Sequence, residues 1–224
     1  MAIRLEKGQK INLEKSGGAK LVNFCVGCNW GAIVKDVPKL FGLIKGMDIH
    51  DVDLDLSCLM IDDQGNPCDH IYSPLYNADF LQSVGLPRGK LDSNDKALHH
   101  SGDDLRGDQD GDDGLDNEII TVDLARVNPN VHQIFFFLNN CGREDFSQIP
   151  YASIRMYEGT PSVVKNVFAE YNVASQPQYQ GMTALIMGKL YRRNDDWKFA
   201  ALGDAFPDAN ISFTIARILK DYAR

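Results

Sequence analysis

The chain has little of what marks several large functional classes. Its Lys and Arg residues nowhere gather into a patch. The 23 of them stand against 31 Asp and Glu, a net charge of −8, so a nucleic-acid backbone is excluded as a partner. Apolar runs are short: the central IFFFL at 134–138 is far below the roughly 20 residues needed to cross a bilayer. The opening MAIRLEKGQKINLEK alternates apolar and charged residues and contains no apolar h-region, which speaks against a signal peptide. The expectation is a soluble, cytoplasmic protein. A nucleophile elbow, a P-loop and a dinucleotide fingerprint are all missing.

Cysteine is scarce too. Five residues, Cys25, Cys28, Cys58, Cys68 and Cys141, are an odd number without regular spacing. That excludes a disulfide framework and suits a reducing compartment. The CVGC at 25–28 has the spacing of a zinc or redox pair, but it lies in KLVNFCVGCNW, which reads as a strand. Strand residues three apart point to opposite faces, so Cys25 and Cys28 cannot share a metal or a disulfide. No second CxxC completes a zinc set, and CDH at 68–70 is a poor substitute. Ordinary buried thiols are the reading.

What is present is strand-like alternation. It recurs at 3–13 (a hairpin around Gly8), 21–26, 52–60, 118–124, 132–140, 151–158, 182–193 and 197–203, with Gly, Asn, Asp and Pro between. Many short strands so spaced predict a mainly β protein, a β-sandwich in one domain over 1–224 with few short helices. The C-terminal 207–224 carries a helical stripe of Ile211, Ile215, Ile218, Leu219 and Tyr222, with Asp208 or Asn210 as N-cap. Residues 38–46 fit one helical turn or a loop over the sheet. By its own pattern 161–173 fits either a helix or a strand.

The charge is distributed unevenly. Residues 102–118, GDDLRGDQDGDDGLDNE, hold eight acids against Arg106 alone, a local −7 in a chain of −8. Within it Asp108, Asp110 and Asp112 alternate, followed by Gly114 and Glu118, an echo of the EF-hand ligand scheme. It is not an EF-hand, because Asp113 stands where the glycine belongs and Glu118 arrives one residue early. A second acidic segment, HDVDLDLS at 50–57, alternates Asp51, Asp53 and Asp55 with Val52, Leu54 and Leu56. On a strand this places three carboxylates on one face, where they repel unless a cation joins them. Hard oxygen donors on a glycine-rich loop suit Ca²⁺, and eleven carboxylates are more than one ion needs. About two sites are expected.

These stretches, with IRLEKGQKINLEK at 3–15 and GKLYRRNDDWKFAALG at 188–203, resemble the TerD family of bacterial tellurium-resistance and general stress proteins, in a TerZ-like variant. The resemblance implies a calcium-binding β-sandwich with no known enzymatic activity. It implies that Asp51, Asp53, Asp55, Asp103, Asp108, Asp110, Asp112, Asp113 and Glu118 hold the calcium, and it tips 167–173 towards a strand. It further implies action alongside other stress-resistance proteins or in a membrane-linked complex, peripheral to the inner membrane. The chain departs from the pattern at GLDN (114–117), which leaves Asp116 or Glu118 as the closing ligand, and at Arg106.

Two other functions stay in view. One is a calcium-dependent membrane or protein docking module, for which the apolar Leu40, Phe41, Leu43 and Ile44 in the insertion at 35–50 are the candidate contact; a plug in the core is their plainer role. The other is a two-metal phosphoester hydrolase drawing on His50, His70, His99 and His100, although these are scattered.

Overall fold

The computed structural model describes residues 9–13, 18, 20–39, 44–174, 176–194 and 196–223. In chain order the strands are β1 (Lys10–Asn12), β2 (Asn23–Trp30), β3 (Ile33–Lys39), β4 (Ile44–His50), β5 (Leu54–Ile61), β6 (Pro67–Ile71), β7 (Leu98–His100), β8 (Glu118–Asp123), β9 (Gln133–Asn140), β10 (Ala152–Thr160), β11 (Val163–Asn172), β12 (Ala184–Arg193) and β13 (Asp196–Phe206). They form a six-stranded sheet, β1-β13-β12-β9-β5-β6, and a five-stranded sheet, β11-β10-β2-β8-β7. The described pairings between these strands are antiparallel.

The two sheets enclose the main core. Phe24, Val26, Cys28 and Trp30 of β2 meet Leu54, Leu56 and Cys58 of β5 and Phe136 and Leu138 of β9. The IFFFL run is buried on both faces, as a continuous apolar strand must be. Its Phe136 and Leu138 point into the sandwich, while Phe135 and Phe137 join a second core under the C-terminal helix. That helix, α2 (Ile211–Arg217), follows a short α1 (Ala78–Ser83) and continues as a π turn through Tyr222. Ile211, Ile215 and Ile218 form its buried stripe. Asn210 is the N-cap, its side chain accepting from Ser212 N, and Asp208 instead pairs with Arg217 at 2.6 Å.

Residues 163–172 are a strand rather than a helix, since pairing with β10 outweighs the helical spacing. The segment around 38–46 is neither a helical turn nor a loop over the sheet: its described part belongs to an antiparallel β3–β4 hairpin, with Val34 facing Ile49. That hairpin forms a sheet of its own and leaves Val34, Met47 and Ile49 exposed. Leu40, Phe41 and Leu43, like the first arm of the 3–13 hairpin, lie outside the described residues; of that segment, β1 pairs with β13. Cys25 and Cys28 do part to opposite faces: Cys25 packs with Ile119 and Tyr157, Cys28 lies inside the sandwich. No helix among the described residues is long and apolar enough to cross a membrane.

Candidate metal centre

The acidic loop is fixed to the end of the sandwich by its backbone. Asp108 N donates to Trp30 O at 3.0 Å, Ala32 N to Asp108 O at 2.9 Å and Val52 N to Arg106 O at 3.1 Å. Trp30 beneath is fully buried and donates its indole N–H to Val52 O at 2.7 Å. Gly107 lies flat on that ring: φ is +68°, and a Cβ there would come within 2.5 Å of Trp30 Cδ1. Asp104 closes the turn, its Oδ1 accepting from Arg106 N and Gly107 N.

Two acidic clusters result. In the first, Asp53, just before β5, and Asp55 on it lie opposite the buried Val52, Leu54 and Leu56, as strand alternation requires, and meet Asp103 of the loop. Their closest ligand atoms all lie within 4.8 Å of one another. Ser73 Oγ donates to Asp103 Oδ2, whereas Asp103 Oδ1 and Asp53 Oδ1 are buried with no hydrogen-bond partner. Burial, with Asp103 and Asp104 adding repulsion, pushes Asp53 up to about 6. Asp55 is pushed up to about 8, by burial and then by Glu118. The cluster opens on a cleft of about 430 Å³ bordered by Tyr76, Leu75, Leu105 and Cys141.

Asp108, Asp112 and Asp113 form the second cluster, likewise within 4.8 Å. Tyr151 OH and Asn117 Nδ2 donate to Asp108 at 2.8 and 3.0 Å, and Asn29 Nδ2 and Gly114 N donate to Asp112 Oδ1 at 2.9 and 2.8 Å. Asn29 is 5% exposed, and its Oδ1 is buried without a partner.

The remaining predicted residues stand apart from the two clusters. Asp51 is exposed and accepts from Gln109 Nε2 at 2.7 Å. Asp110 is exposed at the loop surface. Neither proposed closing ligand belongs to a cluster. Asp116 is enclosed against Arg155, whose Nε donates to its Oδ1 at 2.8 Å. Glu118 shares the inward face of β8 with Ile120 and Val122 and accepts from Leu56 N at 2.7 Å and Asp104 N at 3.0 Å. Burial pushes it up to about 9. Burial disfavours the charged form of both partners of its 3.4 Å contact with His100. Gly102 N donates to His100 Nδ1, so the ring proton sits on Nε2, facing Leu56 O. His50 contacts Glu144, His70 faces Arg88 O and His99 faces Asp92. None of these histidines joins either cluster.

Sequence reasoning missed Asn29, Asn117, Asp104, Ser73 and Cys141. Only Asp104 carried a signal, as an acid beside Asp103. Asn117 lies within the acidic loop without an acid's signal, and Asn29, Ser73 and Cys141 come from segments distant in sequence.

Each cluster offers three carboxylates placed so that they could hold a metal ion. Carboxylates massed at this separation repel, and buried oxygens without donors cost about 1–3 kcal/mol each unless something positive faces them. Ca²⁺, with oxygen ligands at variable geometry, fits the second cluster and the carboxylates of the first.

Comparison with known proteins agrees with the fold. Residues 1–212 match the TerD domain. The chain is 33% identical to stress response protein SCP2 of Bacillus subtilis (strain 168), covering 97% of this chain and 99% of that protein. It is 32% identical to tellurium resistance protein TerZ of Serratia marcescens, over 91% and 90% of the two chains. Among solved structures, a homologue of telluride resistance protein (TerD) from Streptomyces coelicolor A3(2) superposes with a TM-score of 0.58 at 13% identity, covering 90% of this chain and 97% of that one, a likeness of fold. With the domain matched nearly end to end and relatives aligned over their whole lengths, this chain belongs to the TerD family of tellurium-resistance and stress-response proteins.

Proposed function

We propose that the protein is a non-enzymatic stress-response module that binds two divalent cations, Ca²⁺ by preference, one at each acidic cluster. The observation that carries this reading is the pair of three-acid clusters at one end of the sandwich, each accompanied by buried oxygen atoms that lack donors. Asp53, Asp55 and Asp103 hold the first ion. Asp108, Asp112 and Asp113 hold the second, with Asn29 Oδ1 as a neutral donor. Asp51, Asp110 and Glu118 are supports, not ligands. The relatives' names, which speak of stress response and tellurium resistance rather than of a reaction, support the non-enzymatic part.

The test is calorimetric stoichiometry. Asp103→Asn and Asp112→Asn should each reduce two bound Ca²⁺ to one, and Asp110→Asn should leave two. Normal binding by both cluster variants would remove the assignment. A second reading, docking through the bound cation, draws on Leu75 and Leu105, exposed at 63% and 49% on the cleft beside the first cluster. Liposome co-sedimentation with Ca²⁺ and with chelator separates the two readings.

A further inference from the structure

The two clusters differ in one donor. Cys141 follows the end of β9, and its backbone N–H donates to Asp53 O at 2.8 Å, which fixes it beside the first cluster. Its sulfur lies 2.6 Å from Asp55 Oδ2 and 3.2 Å from Tyr76 OH. Across the β5–β9 register Asp55 faces Asn139, whose side chain borders the same cleft and is 1% exposed. Thr214 Oγ1 donates to Asp208 Oδ2, so it must accept from Asn139 Nδ2 at 2.9 Å. That orients Asn139 Oδ1 away from Thr214, where it is buried without a partner. The cleft is thus bordered by three carboxylates, one donor-less amide oxygen and one thiol. Taken as ligand atoms all within 4.8 Å of one another, neither cluster includes a cysteine; Cys141 adjoins the first through Asp55.

We propose that the Asp53–Asp55–Asp103 cluster also takes a thiophilic divalent cation of the zinc–cadmium class, with the Cys141 sulfur as its soft ligand. Hard Ca²⁺ gains nothing from sulfur, whereas thiolate donors favour Zn²⁺-like ions, and mixed sulfur–oxygen sets select by ligand type rather than by charge alone. Binding is a substitution at sulfur: the S–H bond breaks, a sulfur–metal bond forms, and the proton leaves to solvent, with no change of oxidation state. Cys141 is exposed as a residue and borders the open cleft. The molecule then carries a mixed-donor site and an all-oxygen site, able to hold different ions at once.

This inference rests on the cation-site reading of the first cluster, and the experiment separates the two. Chelator-stripped, reduced full-length protein is titrated with CdCl₂ while the ultraviolet thiolate-to-cadmium charge-transfer band is followed, and with CaCl₂ by calorimetry. Cys141→Ser is the variant, Cys68→Ser the control and Asp103→Asn the check on the cluster itself. The expected result is a band saturating at one Cd²⁺ per chain, kept in Cys68→Ser and lost in Cys141→Ser. The variant's Cd²⁺ affinity should fall at least about tenfold, the low end of what even an outer-shell change costs a metal site, with Ca²⁺ binding retained. A band that survives Cys141→Ser, or no band while Asp103→Asn still removes one Ca²⁺, overturns the thiophilic site and leaves the calcium reading standing. If Asp103→Asn alters neither cation's binding, both fall.

Discussion

Gly107 and Glu118 hold the acidic loop in place by opposite means. Gly107 does so by having no side chain, letting the backbone rest on Trp30 at a φ of +68°. Gly107→Ala therefore meets both a left-handed backbone and the indole ring. It should lower stability by more than about 1–2 kcal/mol, the backbone penalty alone, as read from a denaturant midpoint. Glu118 acts through its two backbone donors, and burial, which favours the neutral form of Glu118 and of Asp55, sets a pH dependence. Their native values, about 9 and about 8, stand above those of the unfolded chain, so between roughly pH 7 and 8.5 the native state holds more protons. Stability must then fall as pH rises through that window. Chelator-stripped protein should melt lower at pH 8.5 than at pH 7, and saturating Ca²⁺ should flatten the difference. The shared face of Asp53 and Asp55 was legible because strand alternation fixes it. The placement of Asp110 outside both clusters was not, because the loop's course is set by its contacts with Trp30 and Arg155.

Among the elements, the lengthened GLDN turn is held by Arg155 of β10, which reaches Asp116 and Gly114 O. Asp116 has 0% side-chain exposure. Removing its partner leaves a buried charge, so Arg155→Met should cost about 3–5 kcal/mol. Arg155→Met combined with Asp116→Leu should recover much of that in a double-mutant cycle. At the other end, Ile215→Ala under α2 removes a side chain that is 4% exposed and should cost about 2–5 kcal/mol. The principal strands were legible because alternation or continuous burial marks them. What escaped was short: β6 and β7 are five and three residues long. The pattern of β11 alone left helix and strand open, and pairing with β10 decides it. The hairpin at 33–50 escaped because it pairs as a two-stranded ribbon apart from the main sheets, with Val34, Met47 and Ile49 exposed rather than alternating with polar residues over a core.

On the scale of the whole molecule, the clusters join the sheets. Asp53 and Asp55 lead into and lie on β5 of the six-stranded sheet, Asn29 lies on β2 of the five-stranded sheet, and the acidic loop runs into β8 beside it. Cations there would clamp one end of the sandwich, answering the excess of negative charge that residues 102–118 concentrate. A ligand bound only by the native state adds about 2.7 kcal/mol at a hundredfold excess over Kd. At roughly 2–4 °C per kcal/mol for a chain of this size, that is about 5–10 °C for each ion. The most direct measurement is a titration of chelator-stripped protein with CaCl₂ in excess MgCl₂, with a thermal melt of each form. The account predicts about two Ca²⁺ per chain and a melting temperature raised by that amount or more. Absence of binding, with identical melts, would make both clusters a solvated acidic surface and contradict it.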